Sequence, residues 1–185
     1  MIIPDELRKQ AEKLRLRLYA SNENEDFLLL HWWIDLHATG ELSDILEPAS
    51  RSLSQMFETF KPPTTFIYAL NSKNKIEFAW WAYPSSLHPT DRTLICGLWL
   101  SDPLRSSKRG VQLTTLVYKL AFCHYDYILG TTWQKDKLKV HRSMGYEVTG
   151  FVPHIYGVDN VFFVLLSKGN FEQSKMYRLN ERIGV

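Results

Sequence analysis

The sequence predicts an α/β (α+β) protein built on a mixed, mostly antiparallel twisted sheet of about seven strands, with helices on both faces. Three observations carry this. Leu94–Leu100 is a short apolar run suited to a strand buried on both faces. A loop, a helix and a second short strand at Tyr127–Thr132 follow it. A strand-loop-helix-strand unit is a crossover, which makes that pair parallel. On either side, the polar loop Asn71–Lys75 joins Thr64–Leu70 to Ile76–Tyr83, and Pro153–Asp159 joins Tyr146–Val152 to Asn160–Ser167; such hairpins pair strands antiparallel.

The other elements follow in order. Pro4 and Asp5 can open a short helix, Glu6 to Lys13, with acids in its first turn. Leu14–Tyr19 alternates apolar and basic residues, as a half-buried strand does; one helix from Asp5 to Ala20 is the competing reading. Ser21–Asn24 is a turn and helix-cap cluster, and Phe27–Leu36 is apolar at helical spacing, ending near Gly40. Asp44 to Phe60 places Ile45, Leu46, Ala49, Leu53, Met56, Phe57 and Phe60 on one helical face, and Pro62-Pro63 stops it. Thr64–Leu70 is rich in β-branched and aromatic residues. After Leu94–Leu100 the loop Leu104–Gly110 leads to a helix that starts near Val111-Gln112 and runs through Leu113–His124. Gln134–Met144 is a Lys-rich helix with Gly145 as its C-cap. From Lys168 onward the chain is polar and reads as a loosely attached tail. The expected organisation is a single domain over 1–185: a helical extension at 1–13, a core at 14–167 and a tail at 168–185.

Composition excludes several classes. Of the 185 residues 45% are hydrophobic and 23% charged, as in a globular chain rather than a disordered one. A formal charge of +2 is too small to argue for nucleic acid, and aromatic and basic residues do not interleave along one face. Cys96 and Cys123 fall in an apolar strand and a helix, as small buried residues rather than a disulfide or metal framework. The longest apolar stretch, Phe27 to Ile34, is too short to span a bilayer. No secretory signal is visible, so a reducing cytoplasm is the expected compartment. No Walker loop, Ser-His-Asp order or metal-ligand spacing appears.

The chemistry concentrates between Leu94 and Tyr146. Arg105, Lys108 and Arg109 place three cations in five residues of a glycine-containing loop that feeds a helix N-terminus. Free N–H groups and the helix dipole make such an end an anion site, and this charge density favours a diphosphate over a lone carboxylate. A solvated surface turn has the same composition.

The element order, with three particular stretches, resembles the GCN5-related N-acetyltransferase superfamily, the acyl-CoA N-acyltransferase fold, over roughly Leu14 to Ser167. Leu16-Arg17-Leu18 followed by Glu25-Asp26 looks like the family's first strand and the acidic start of its first helix, which favours the strand reading there. Trp99–Pro103 followed by Gly110-Val111 looks like the fourth strand's end and the pyrophosphate loop. Val140–Val148 looks like the helix end usually seen as Leu-Tyr-x-x-x-Gly-Phe. The family loop usually reads Arg/Gln-x-x-Gly-x-Gly/Ala; here Ser107 and Gln112 stand at its ends. His141 replaces the usual tyrosine, and Gln134 the usual asparagine.

The resemblance implies an acyl-CoA-dependent N-acyltransferase that moves an acetyl group from acetyl-CoA to an amine; a non-catalytic module for structure or partner binding is the alternative. It implies a splay between the two central parallel strands. The backbone of Leu98, Trp99, Leu100 and Ser101 would hold the pantetheine arm. The N–H groups of Ser107, Lys108, Arg109, Gly110, Val111 and Gln112, with Arg105 adding charge, would hold the pyrophosphate. Gln134 would also face the CoA, and His141 would act as general acid toward the leaving thiolate. The implied partners are a CoA thioester and an amine acceptor, with no membrane; a homodimer is compatible. No acid lies within Leu94–Leu100, so the general base is unassigned; Glu77 on the third strand is the nearest candidate, an exposed hairpin carboxylate being the competing reading, and Asp91, His88 and His154 are loop candidates. Trp80, Trp81, Tyr83, Trp99, Trp133 and Tyr156 gather near predicted strand ends, where large aromatics line a cleft or fill the core.

Overall fold

The structure, a computed structural model, describes residues 4–41, 52–85, 92–132, 135–153 and 160–184. The expected helix from Asp44 therefore lies partly outside the described residues, as do Trp133, Gln134, Tyr156, His88, Asp91 and His154. The described elements run α1 (Asp5–Lys13), β1 (Leu16–Leu18), α2 (Glu23–Thr39), α3 (Leu53–Thr59), β2 (Thr65–Leu70), β3 (Ile76–Pro84) and β4 (Thr93–Leu100). They continue with α4 (Asp102–Arg105), α5 (Lys108–Ala121), β5 (Tyr127–Thr132), α6 (Lys135–Ser143), β6 (Glu147–Pro153), β7 (Asn160–Ser167), α7 (Lys168–Glu172) and α8 (Lys175–Ile183).

Seven strands form one sheet in the order β1-β2-β3-β4-β5-β7-β6, antiparallel throughout except for β4 and β5. The Asn71 side chain accepts from the N–H groups of Lys73 and Lys75, which closes the β2–β3 hairpin. Gly145 has φ +94°, and a side chain there would overlap the Asn170 carbonyl oxygen, so glycine alone carries the chain from α6 into β6.

Each face of the sheet has its own core. On one side α1, α5, α7 and α8 pack around Leu113, Leu116, Val117, Leu166 and Phe171. On the other, α2 and α3 bring Leu29, Trp32, Leu36, Met56 and Phe60 onto Phe66, Tyr68 and Trp81. Among the described residues no helix is long and apolar enough to cross a membrane.

Two expectations are corrected. The segment from Lys168 is not a loose tail. Ser167 and Ser174 cap two helices, and Phe171, 1% exposed, stacks against Tyr118 and Phe122 at 5.6 and 5.5 Å. Glu181 pairs with Lys119 at 3.0 Å. The apolar residues Phe171, Met176 and Tyr177 fall on one face of an otherwise polar segment, and that face docks on α5. The basic loop is also shorter than expected: α5 starts at Lys108, capped by Ser107, and Asp102–Arg105 forms a helical turn of its own.

Candidate active site

The parallel ladder between β4 and β5 is brief. It pairs Thr93 with Tyr127, Leu94 with Ile128 and Ile95 with Leu129, and there it stops. Beyond that point β4 stays with β3 as far as Leu100, while β5 stays with β7 as far as Thr132. The strands part, and a cleft of about 740 Å³ opens between them. It is lined from the α5 side by Gly110, Val111, Thr114 and Tyr118, and from the α2 side by Trp81, Pro62 and Pro63.

Strand alternation decides which backbone groups reach this gap. Ser85 N–H donates to the Thr93 carbonyl, and Ser101 N–H donates to the Glu77 carbonyl, so the odd-numbered residues of β4 face β3. The N–H and C=O of Leu98 and the N–H of Leu100 therefore point toward β5, beyond the end of the ladder. Trp99 and Ser101 turn the other way. The Trp99 indole N–H donates to Glu41 at 2.7 Å on the α2 side.

The N-terminus of α5 is arranged differently from the loop the sequence suggests. Ser107 Oγ accepts from Gly110 N–H at 2.9 Å, and no described residue accepts from the N–H groups of Lys108 and Arg109. Gly110 is needed because any side chain there would overlap the Leu104 carbonyl oxygen, contributed by the α4 turn. Arg105 lines the cleft, but it is tied to Glu41 at 2.9 Å, Asp102 at 2.7 Å and the Leu100 carbonyl at 3.0 Å. Arg109 turns back to Glu77 at 2.8 Å and to the Leu14 carbonyl at 3.0 Å. Glu77 is thus a largely buried ion-pair partner, 14% exposed, rather than an exposed hairpin acid or a base in the cleft. Gln112 reaches the Gly184 carbonyl, away from the cleft.

His141 lies on the last turn of α6 and lines the cleft. Its Nδ1 is 2.8 Å from the Lys137 carbonyl oxygen, an acceptor only, so Nδ1 carries the proton. Burial, above all, lowers its pKa from the usual 6.5, against the pull of that hydrogen bond. At neutral pH the ring is neutral and Nε2 is a bare acceptor. The Tyr146 ring meets it edge-on at 5.1 Å. Behind, Tyr118 and Tyr146 hydroxyls lie 3.0 Å apart, with Cys96 Sγ 3.7 Å from Tyr146. Burial pushes all three pKa values up, so this polar pocket in the wall stays protonated.

Of the residues the sequence singles out, Leu98, Trp99, Leu100, Arg105, Gly110, Val111 and His141 line this one cleft. Ser107 caps the helix beneath it, while Ser101, Arg109 and Gln112 are engaged elsewhere. Sequence reasoning missed Tyr118, Tyr146 as a cleft residue, and Cys96 as their hydroxyl partner.

Solved structures share this architecture. A GCN5-related N-acetyltransferase from Kribbella flavida superposes with a TM-score of 0.61 at 13% identity, covering 82% of this chain and 97% of that one. RimJ of Mycobacterium smegmatis, solved in complex with CoA-disulfide, gives 0.63 at 11% identity over 90% and 88%. A ribosomal-protein-alanine N-acetyltransferase from Brucella melitensis gives 0.58 at 13% over 82% and 99%. No family model and no curated protein matches the chain. The fold is that of the acyl-CoA N-acyltransferases, the GCN5-related N-acetyltransferase fold.

Proposed function

We propose that this protein transfers an acyl group, with acetyl-CoA as donor, to an amine. The observation that carries the reading is the gap between β4 and β5, which leaves the backbone groups of Leu98 without a strand partner among the described residues, beside a cleft that His141 lines. A pantetheine arm carries amides that can complete the missing ladder. The open N–H groups of Lys108 and Arg109, at the positive end of α5, suit the diphosphate.

On this reading His141 takes a step before the acid role that the resemblance implies: it acts first as a base. A neutral ring with the proton on Nδ1 has nothing to donate at Nε2 until it has taken a proton. The attacking amine nitrogen forms its bond to the thioester carbonyl carbon and passes a proton to Nε2. The Lys137 carbonyl holds the resulting imidazolium in place. The C–S bond then breaks, and the imidazolium returns the proton to the CoA thiolate. One residue thus serves as base and then acid.

The same site carries one observation in favour of a non-catalytic module. Arg105 and Arg109, two of the three cations expected to meet the diphosphate, are neutralised by Glu41, Asp102 and Glu77. Calorimetric titration with CoA, followed by free-thiol release from acetyl-CoA with a panel of amines, separates the two. Binding with amine-dependent thiol release is the expected result; absence of CoA binding supports the module.

A further inference from the structure

Trp81 and Gly97 are direct cross-strand partners on β3 and β4. Both lie on the α2 side of the sheet, where Trp81 and Trp99 join the aromatic core. A side chain on Gly97 would overlap the six-membered ring of Trp81, so the indole lies flat across β4 in the space that glycine leaves. The opposite edge of β4 is the gap. A ring laid across this strand reaches toward that gap, and Trp81 and Gly97 both line the cleft. Phe60 and Trp32 meet the indole edge-on at 6.0 and 6.5 Å, which fixes its orientation. Tyr83, two residues on along the same face of β3, Pro62 and Pro63 extend this apolar wall.

Negative charge is scarce in this cleft, which Lys61, Arg105 and Lys137 also line. Among the described residues lining the cleft Glu58 is the one carboxylate, and it is already ion-paired with Lys61. An acceptor with several ammonium groups would enter without counter-charges and would lose its hydration uncompensated. A single amine on a flat aromatic body meets no such penalty. Trp81 is 7% exposed, so the ring can pack against the part of the indole that borders the gap, and the amine can arrive neutral at His141.

We propose that the acceptor is a monoamine carried on an aromatic body, and that Trp81, held flat by Gly97, is the residue that selects it. This rests on the acyl-transfer reading of the cleft. The test titrates phenylethylamine and spermidine against wild type, Trp81→Ala, Trp81→Phe and Gly97→Ala, with CoA titrated separately. Acetyl transfer is measured alongside. Phenylethylamine should be favoured by roughly tenfold or more, and Trp81→Ala should lose about that factor in phenylethylamine affinity with CoA affinity intact. Gly97→Ala keeps the indole but tilts it, and should lose phenylethylamine affinity likewise, whereas Trp81→Phe should hold within about threefold. Spermidine bound or used as well as phenylethylamine overturns the proposal. So does unchanged phenylethylamine affinity in Trp81→Ala or Gly97→Ala. Failure of wild type to bind CoA would instead sink the acyl-transfer reading, and the amine titration without CoA still decides the role of Trp81.

Discussion

The two ends of the cleft are held by opposite means. At the α5 end nearly every charged or polar group is tied to the protein itself: Ser107 to Gly110, Arg105 to Glu41 and Asp102, Arg109 to Glu77. At the α6 end one nitrogen of His141 is fixed on Lys137, and the other has no hydrogen-bond partner among the described residues. On the proposed reading, the first end is a scaffold that would hold an anion through main-chain N–H groups, and the second is a scaffold that would present a reactive group. Substitutions at the α5 end should therefore be read mainly in stability, and those at the α6 end mainly in rate.

The largest expected effect is at the reactive end. His141→Ala should lower acetyl transfer by about 10²–10⁴-fold with little change in CoA affinity, the usual range for a positioned acid or base. The wild-type rate should fall as pH drops through the lowered pKa of His141, because protonation there removes the base; the alanine variant should lose that inflection. The same shift makes a smaller contribution to stability. The folded state resists protonating His141, so the unfolded chain binds more protons between the lowered value and 6.5. Stability from this residue is complete above 6.5 and declines as pH falls through that window. A rate profile unaltered by the substitution would break the contrast between the two ends.

At the scaffold end, Gly110→Val should cost about 2–4 kcal/mol of folding stability, because the new side chain meets the Leu104 backbone rather than empty space. Thermal and denaturant unfolding measure it. Arg109→Met strands the largely buried Glu77 carboxylate, at about 1–3 kcal/mol. A variant as stable as wild type would mean that this ion pair holds nothing together. The smallest effect belongs to Lys108, exposed and with no ion-pair partner among the described residues. Lys108→Ala should leave the melting point unchanged and weaken CoA by only about two- to fivefold, the scale of one charge near a helix end.

What the sequence made legible, and what it hid, follows the same division. Strand order was readable because turns and periodicity are local: Asn71–Lys75 closes a hairpin, and Gly145 ends a helix. The start of α5 was readable in principle, since Ser107 three residues before Gly110 is a capping signal; the run of cations drew it into a loop instead. The turn at Asp102–Arg105 likewise begins with a proline at the start of a helix. The pairing of Arg109 with Glu77, 32 residues away, and the seating of Trp81 on Gly97 depend on register across the sheet. No spacing along the chain encodes them. The segment after Lys168 was misread because composition outweighed its sparse apolar face.

The most direct measurement is a crystal structure with acetyl-CoA at millimolar concentration. The pantetheine arm is expected between β4 and β5, bonded to the backbone of Leu98. The diphosphate is expected at the N–H groups of Lys108 and Arg109, and the thioester within reach of His141 Nε2. CoA bound elsewhere on the molecule, or a gap closed by a direct β4–β5 ladder past Ile95, would contradict this placement.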